Sequence, residues 1–210
     1  IGSLLATELV NKGHKLTVID RVDFNLQALN HLFYNKNFEF IRKDLLKIKF
    51  NELKIKKYDL VIPLAALVGA PLCAKKPREA KKINQLWIEE LIDNLKKNQK
   101  IIYPTTNSGY GVGEKDKYCN ENSPLKPISL YGKTKVASEN VILSHNNSIS
   151  FRLATIFGCS YRMRTDLMVN NFTLRALKEK KLEIFEPHFR RNFIHIRDVI
   201  NAFMFSIENF

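Results

Sequence analysis

The chain has 210 residues, 45% of them hydrophobic and 26% charged, so a substantial domain can form around an apolar core without disulfides or a structural metal. The formal net charge is +13, but the lysines are scattered and not interleaved with aromatic residues, which argues against a nucleic-acid partner. The three cysteines stand far apart without a CxxC pair, which argues against a disulfide framework or a zinc site and favours a reducing, cytoplasmic compartment.

Short β-branched runs alternate with amphipathic stretches along the chain. The pattern predicts helices over residues 3–11, 25–35, 77–98 and 130–144, and strands over residues 15–20, 38–41, 58–63, 100–105 and 149–156. The longest apolar run, residues 60–73, is broken by proline and glycine and is shorter than the ~20 residues of a membrane-spanning helix, so no membrane partner is expected. Strands that alternate with helices in this way predict an α/β fold with a parallel sheet.

Both ends of the sequence fall within helical patterns. The chain enters a helical pattern at Gly2, where a doubly wound fold would first place a strand and a turn. Residues 198–210 form another helical pattern that stops before it is complete. We therefore expect a fragment that is truncated at both ends and lacks its first strand.

The strongest local motif is YGKTK at residues 131–135, a YxxxK pattern in the fourth predicted helix. Tyr131 and Lys135 are four residues apart and would share one helix face. A lysine ammonium beside a phenol favours the phenolate and lowers the phenol pKa from ~10 toward neutrality. Tyr131 is therefore a candidate general base or acid, although a lysine-rich helix can also contain this pattern by chance.

A cluster of hydroxyl residues, TTNSGYG at residues 105–111, follows the fourth predicted strand. The carboxyl ends of parallel strands are where ligands bind in such sheets. An ordinary Ser/Gly turn is the alternative interpretation. The order of strand, hydroxyl cluster, Tyr-Gly and YxxxK is much rarer than any one of these pieces, and it indicates a reaction site.

Gly2 and Asp20 form a third signal, at the first predicted helix and the end of the strand after it. A glycine there lets the helix pack closely on the sheet, and an acid about 20 residues later can bind the ribose 2′-hydroxyl of NAD. Asp20 would repel the 2′-phosphate of NADP. Arg21 weakens this preference, because an arginine there could bind that phosphate.

These motifs, in this order, resemble the NAD-dependent epimerase/dehydratase family, the extended branch of the short-chain dehydrogenases. The resemblance runs from Ile1 to the end of the chain. It implies a Rossmann-type doubly wound parallel sheet, with an NAD-binding domain over residues 1–160 and part of a smaller nucleotide-sugar-binding region over residues 161–210. It also implies a catalytic triad of Tyr131, Lys135 and Thr106, where Thr106 is found by counting back from Tyr110.

The resemblance further implies which residues bind the ligands. Beside Tyr131 and Lys135, the residues expected to bind NAD are Gly2, Asp20, Asp44, Leu45, Leu64, Ala65, Ala66, Asn84 and Ala154. Those expected to bind the nucleotide sugar are Thr106, Asn107, Thr155, Asn171 (with Asn170 as a close alternative) and Arg191. The guanidinium of Arg191 suits a diphosphate, while plain surface charge is the alternative. His195 is expected to be a packed structural residue, and no metal is expected.

One departure from the family pattern bears on the reaction. The 4,6-dehydratases of this family place an Asp-Glu pair directly after the catalytic threonine, whereas Asn107 and Ser108 stand there in this chain. Neither residue offers a carboxyl acid for water elimination. The sequence therefore predicts an NAD-dependent nucleotide-sugar epimerase, similar to UDP-glucose 4-epimerase, that oxidises the sugar transiently at C4. A net reductase or dehydrogenase, a dehydratase with another acid, and a non-catalytic NAD-binding protein remain as alternatives.

The predicted helices over residues 77–98 and 130–144 carry apolar stripes. The family resemblance suggests that they pair across a two-fold axis, as a four-helix bundle in a homodimer. The alternative is that both stripes only cover the sheet.

Overall fold

The computed structural model describes residues 1–23, 26–113, 117–188 and 190–210. Its helices and strands, in chain order, are α1 (Gly2–Asn11), β1 (Leu16–Asp20), β2 (Phe38–Arg42), α2 (Phe50–Leu53), β3 (Leu60–Val61), α3 (Ala70–Lys75), α4 (Pro77–Lys81), α5 (Trp87–Asn94), β4 (Lys100–Thr106), α6 (Leu130–Leu143), β5 (Ser148–Leu153), β6 (Thr155–Phe157), α7 (Met168–Glu179), β7 (Phe193–His195) and α8 (Ile196–Glu208). Short 3₁₀ helices cover Leu26–Leu32, Ile55–Lys57 and Asn107–Tyr110, and a π-helical turn, Lys82–Leu86, joins α4 to α5.

The chain divides into two compact units. The first unit consists of Ile1–Val18, Val22–Arg42 and Ala154–Phe210, and the second of Ile19–Arg21 and Lys43–Leu153. The predicted domain boundary at residue 160 separates an NAD-binding domain from a nucleotide-sugar-binding region, whereas the two units above are defined by their compactness. That boundary stays a prediction.

The second unit is built on a parallel sheet of three strands in the order β3-β4-β5. The register places Leu60 opposite Lys100 and Thr105 opposite Arg152. Strand β4 is buried along nearly its whole length, because both of its neighbours are paired strands and α6 packs against it. The core includes the stacked rings of Phe50 and Trp87, whose centroids are 5.4 Å apart, and the π-helical turn and α5 pack against α6.

The first unit contains α1, the 3₁₀ helix Leu26–Leu32, β2, the parallel pair β6-β7, α7 and α8. The apolar face of α1 buries Ala6 and Val10 against Leu32 and the partly buried side chains around it. Helix α8 packs against α1, and Lys12 Nζ, just after α1, lies 3.5 Å from the Glu208 carboxylate on α8. The parallel strands and flanking helices confirm the predicted α/β fold of Rossmann type.

Some predicted elements differ from the structure. The run over residues 149–156 is not one strand, because it breaks at Ala154 into β5 and β6. The predicted strand over residues 58–63 pairs only at Leu60–Val61. The predicted helix over residues 25–35 is a 3₁₀ helix, and its expected first residue lies outside the described residues. Within the described ranges, no helix is both long enough and apolar enough to cross a bilayer.

Two glycines with positive φ differ in how closely neighbouring atoms approach them, so substitutions there can measure the effect of that approach on stability. Gly111 follows the turn after β4 with a φ of 72°, and a Cβ there would lie 2.1 Å from the Lys126 carbonyl oxygen. Gly13 follows α1 with a φ of 85°, and nothing lies within 4 Å of the position that its Cβ would take. The two sites therefore share a positive φ and differ in the steric clash.

We expect Gly13→Ala to lower the free energy of unfolding by about 1–2 kcal/mol, the strain of an L-residue at positive φ. Gly111→Ala should lower it by about 3 kcal/mol or more, because an overpacking clash of ~1–3 kcal/mol adds to similar strain. Urea denaturation of both variants measures the difference. Equal losses would show that the approach of Lys126 does not matter to stability.

Candidate active site

Thr106 is the last residue of β4 and the N-cap of the 3₁₀ turn Asn107–Tyr110. Its Oγ1 accepts a hydrogen bond from the Ser108 amide at 3.2 Å and donates one to Ser108 Oγ, also at 3.2 Å. The side chain is 9% exposed. A hydroxyl group is thus fixed at the carboxyl end of the central parallel strand, the edge of the sheet where ligands bind in α/β folds.

Helix α6 begins beside this turn. The Ser129 hydroxyl caps the helix by accepting a hydrogen bond from the Gly132 amide at 3.1 Å, which fixes the first turn that carries Tyr131. A Cβ on Gly132 would lie 3.0 Å from the Ser108 carbonyl oxygen, so the helix approaches the turn about as closely as a glycine allows. The structure therefore brings the first turn of α6, with the half-buried Tyr131, against the turn that follows Thr106.

Lys135 lies one helical turn beyond Tyr131 and is 5% exposed. Its Nζ lies 3.8 Å from the centroid of the Tyr103 ring on β4, at a distance typical of a cation–π contact. Burial lowers the pKa of Lys135 to about 7, while the charge of Glu139 acts in the opposite direction. Burial also raises the pKa of Tyr103, so this phenol stays protonated. Lys135 can therefore gain or lose a proton near neutral pH.

Asn84 lies in the π-helical turn and is 1% exposed. Its amide nitrogen donates to the Leu67 carbonyl at 2.9 Å, and its amide oxygen accepts from the Leu67 amide at 2.8 Å. Its backbone carbonyl accepts a hydrogen bond from Ser138 on α6. Asn84, which the sequence places at the cofactor, thus bonds through its side chain to the segment after β3 that contains Leu64, Ala65 and Ala66. It can support a cofactor through that segment.

Asp20 ends β1, and its carbonyl oxygen accepts a hydrogen bond from the Lys43 amide at 3.2 Å. Arg21 next to it donates to Glu79 on α4 at 3.1 Å and lies 4.0 Å from the Asp44 carboxylate. The hydrogen bond from Arg21 lowers the pKa of Glu79, which keeps this carboxylate ionised. The Asp44 carboxylate also accepts a hydrogen bond from the Leu46 amide at 3.0 Å, which stabilises the turn between these residues. The acids Asp20 and Asp44 therefore lie at one corner of the second unit, and Arg21 is paired with acids there.

Two more predicted site residues belong to the second unit: Leu45 packs against its apolar core, and Asn107 begins the 3₁₀ turn after β4. The others belong to the first unit. Gly2 begins α1, Ala154 precedes β6, and Thr155 begins it. Asn171 on α7 donates to the Thr165 carbonyl at 3.1 Å, while Arg191 is exposed just before β7. Each of these residues keeps its predicted role as a prediction.

The alternative residue Asn170 and the histidine are both engaged in local structure. The buried Asn170 accepts from the Gly158 amide at 3.0 Å and donates to the Arg164 carbonyl at 3.0 Å, so it holds a loop together. His195 Nδ1 accepts from the Arg197 amide at 3.4 Å at the start of α8. A Cβ on Gly158 would lie 2.6 Å from His195 Nε2. These contacts support a structural role for His195, while ligand binding by Asn171, or by Asn170 in its place, stays a prediction.

Sequence analysis missed three residues around the triad, the buried Tyr103 and Glu139 and the half-buried Arg152. Glu139 continues the Tyr131–Lys135 series at the same spacing of four, so the helical pattern could have indicated it. Tyr103 and Arg152 lie on neighbouring strands, and nothing in a single sequence shows that they face α6. Among the described residues, no group of three histidines, cysteines or carboxylates could hold a metal ion.

Comparison with known proteins adds relatives along the whole chain. Residues 1–210 match the profile of the NAD dependent epimerase/dehydratase family. The uncharacterized UDP-glucose epimerase YtcB of Bacillus subtilis is 30% identical over 96% of this chain and 67% of its own length. The dTDP-D-glucose 4,6-dehydratase of Dictyostelium discoideum is 27% identical over 97% of this chain and 52% of its own length. The chain thus spans between about half and two thirds of the length of these relatives.

Solved structures share the fold. A UDP-glucuronic acid 4-epimerase from Bacillus cereus, in complex with UDP-glucuronic acid and NAD, has a TM-score of 0.83 and 27% identity over 99% of this chain and 70% of that one. A UDP-N-acetylglucosamine 4-epimerase from Methanobrevibacter ruminantium, at 23% identity and a TM-score of 0.86, covers 99% of this chain and 69% of that one. The second likeness, at its low identity, shows the fold alone.

The buried Lys135 predicts a specific dependence of stability on pH. Its pKa of about 7 in the folded protein lies below its ordinary value of 10.5, so the unfolded chain binds more protons between these values. The free energy of unfolding should therefore rise as the pH increases from about 7 toward about 10.5. Below pH 7 both states carry the proton, and the full penalty for burying the charge is present.

Lys135→Met should raise the free energy of unfolding by roughly 2–5 kcal/mol at or below neutral pH, since one pKa unit corresponds to about 1.4 kcal/mol and the Tyr103 contact offsets part of it. The rise between pH 7 and 10.5 should become shallower than in the unsubstituted protein. Urea denaturation at several pH values measures both effects. Lys133→Met, an exposed position on the same helix, is the control and should leave the pH profile unchanged.

Proposed function

Because the chain belongs to the NAD dependent epimerase/dehydratase family, we propose that it is the cofactor-binding part of a nucleotide-sugar epimerase that acts through transient oxidation at sugar C4. The observation that carries this proposal is the arrangement in the second unit. Close packing at Gly132 holds together three groups: a hydroxyl at the end of β4, a tyrosine in the first turn of α6, and a buried lysine one turn later. The epimerases among the relatives support the same reaction class.

The residues of the second unit fit NAD as the cofactor. Asp20 offers a carboxylate at the end of β1, where a ribose hydroxyl can be bound. Arg21, the residue that could favour a 2′-phosphate, is instead hydrogen-bonded to Glu79 and lies near Asp44. The carboxylates at this corner would repel such a phosphate. NAD is therefore preferred over NADP in this proposal.

The proposed mechanism assigns one task to each triad residue. Tyr131, as phenolate, removes the proton from the C4 hydroxyl of the sugar, and it returns the proton at the end of the cycle. Thr106 Oγ1 turns from Ser108 to donate a hydrogen bond to the same sugar oxygen and so orients it. Lys135, in its protonated form, favours the phenolate of Tyr131 through its charge and binds the nicotinamide ribose.

The nicotinamide, when bound, supplies reversible acceptance of a hydride from C4. The sugar can then turn over at the keto stage and regain its hydrogen on the opposite face, so no net oxidation takes place. Asn171 and Arg191 are proposed to bind the nucleotide diphosphate, with Arg191 pairing with the phosphates. Asn107 and Thr155 are proposed to contact the sugar.

The composition of the turn after Thr106 supports the choice of epimerisation over dehydration in this proposal. A dehydratase needs an acid to protonate the departing hydroxyl, and family dehydratases carry a carboxyl pair directly after their threonine. In this chain the turn Asn107–Tyr110 contains an amide, a hydroxyl, a glycine and a phenol. This chemistry supports epimerisation over loss of water.

A homodimer is part of the proposal. Leu86 and Leu143, which lie on the π-helical turn before α5 and at the end of α6, are 44% and 50% exposed. Apolar side chains at these positions support pairing of the two helical segments across a two-fold axis. The four-helix bundle stays a prediction.

The experiment that tests the reaction class incubates the protein with NAD and a panel of UDP-, GDP- and dTDP-sugars. The absorbance of NADH is followed together with the NMR spectrum of the sugar. A new epimer without net NADH supports the proposal. Stoichiometric formation or consumption of NADH would identify a dehydrogenase or a reductase, and bound NAD without any conversion would identify a non-catalytic protein.

Tyr131→Phe tests the proposed base. The variant should keep its fold and its NAD binding, because only a hydroxyl is removed, and it should lose at least about 10²–10⁴-fold in kcat. The rate of epimer formation by NMR measures the loss. Tyr118→Phe, at a side chain that is 97% exposed, is the matched control and should keep full activity. Full activity of Tyr131→Phe would remove Tyr131 from the mechanism.

A further inference from the structure

Arg152 on β5 is bonded to three separate segments of the second unit. Its Nε donates to Glu139 Oε1 on α6 at 2.8 Å, and its Nη1 donates to the Tyr110 hydroxyl at 3.4 Å and to the Glu121 carbonyl at 2.9 Å. The Arg152 side chain is 16% exposed and that of Glu139 only 3%. The pair is therefore largely removed from water, where geometry matters far more than in surface ion pairs.

The segments that Arg152 joins are those that carry the proposed triad. Glu139 lies one helical turn beyond Lys135 and two turns beyond Tyr131, on the same face of α6. Tyr110 closes the turn that starts at Thr106. The guanidinium plane also lies near the Tyr110 ring, with its central carbon 5.3 Å from the ring centroid. One side chain thus fixes the Thr106 turn and helix α6 relative to the sheet.

The pair also determines the charge around Lys135. The negative charge of Glu139 raises the pKa of Lys135, against the larger effect of burial. Arg152 offsets this negative charge, and its hydrogen bonds to Tyr110 and Glu139 outweigh its own desolvation and raise the pKa of the guanidinium. Without Arg152, Glu139 would be a buried carboxylate without this ion-pair partner, and its charge would act on Lys135 unopposed by Arg152.

Other titratable groups lie on α6 and on the elements packed against it. Among the described residues, α6 itself carries Tyr131 and Lys133, β4 carries Lys100 and Tyr103, the turn after β4 carries Tyr110, and α3 carries the buried Cys73 and the exposed Lys75. The ionisable side chains of α4, the π-helical turn and α5 are exposed or half-buried; these are Arg78, Glu79, Lys81, Lys82, Glu89, Glu90 and Asp93.

We infer that Arg152 is a positioning residue of the proposed site: together with Glu139 and Tyr110 it fixes the Thr106 turn against the helix of Tyr131 and Lys135 and balances the charge beside Lys135. The inference rests on the proposed function for its catalytic consequence. Its electrostatic part depends only on the contacts of the four residues.

The electrostatic part is tested by titrating Lys135 in the NMR spectrum of protein labelled at the lysine Cε, with Lys135→Met to assign the signal. Arg152→Met removes a positive charge and should move the titration midpoint of Lys135 upward. Glu139→Gln removes a negative charge and should move it downward. Each shift should be roughly 1 pH unit, the scale of one nearby charge, and the double variant should fall between the two.

A purely structural ion pair would not give shifts of opposite sign. The matched control is Arg175→Met, which breaks an Arg–Glu pair of the same 2.8 Å length, between Arg175 and Glu179 on α7. It should leave the Lys135 midpoint unchanged. Glutamine has nearly the shape of glutamate, so we expect the Glu139→Gln variant to fold. Its downward shift of the Lys135 midpoint therefore tests the inference even if Arg152→Met does not fold. No shift in Glu139→Gln, or shifts of the same sign in both variants, would overturn the inference.

The positioning part is tested by turnover of the nucleotide sugar identified with the unsubstituted protein. Arg152→Lys keeps the charge but loses the planar fork that reaches both Glu139 and Tyr110. It should therefore leave the Lys135 midpoint near that of the unsubstituted protein and lower kcat by about tenfold, with KM little changed. Tyr110→Phe should do the same. Unchanged kcat in both variants would remove the positioning role.

The outcomes separate this inference from the proposed function. Opposite shifts of the Lys135 midpoint in a protein that converts no nucleotide sugar would retain the charge relation and reject the epimerase. Epimerisation by a protein whose Lys135 midpoint does not respond to Glu139→Gln would retain the epimerase and reject the inference.

Discussion

The arrangement of the candidate site depends on keeping one ammonium group out of water. Lys135 is buried between α6 and β4, and its stabilisation comes from the Tyr103 ring, 3.8 Å from Nζ, and from the carboxylate of Glu139. These partners in turn need their own support. Ser138, next to Glu139 on α6, is bonded to the Asn84 carbonyl, and Arg152 neutralises Glu139. These buried charges and polar groups at the centre of the unit thus have partners of their own, as burial in an apolar surrounding requires.

Local sequence patterns predicted the elements that carry this charge. The run over residues 100–105 and the stretch over residues 130–144 agree with β4 and α6 to within one residue at each end, because each has a local pattern in the sequence, a short apolar run in the first and a helical apolar stripe in the second. Elements without such a pattern were missed or misjudged. Helix α7 was not predicted at all, and the chain breaks at Ala154 although the residues on both sides of it are typical of a strand.

The candidate site shows the same difference between features with a local sequence signal and features without one. The spacing of Tyr131 and Lys135 and the hydroxyl cluster that ends at Tyr110 are local signals, and the structure brings them together in one unit. The partners of these residues are not local. Arg21 meets Glu79 across 58 positions and Asn84 meets Leu67 across 17, and such contacts arise only when the sheet and helices assemble. Local patterns in the sequence therefore indicated the groups that are proposed to react, but not the contacts that orient them and set their charge.

The π-helical turn Lys82–Leu86 can be understood as one extra residue accommodated within a continuous helix. Deleting a residue from this turn would restore regular α-helical winding, and each residue of an α-helix turns the chain by about 100°. The wider winding of the π turn absorbs the extra residue, so α4 and α5 could keep their buried faces toward the core after such a deletion. The bonds at risk are those of Asn84, which lies within the turn and is hydrogen-bonded to the Leu67 backbone. A lineage of this protein could therefore lose one residue from this turn only where the bonds of Asn84 are kept or replaced.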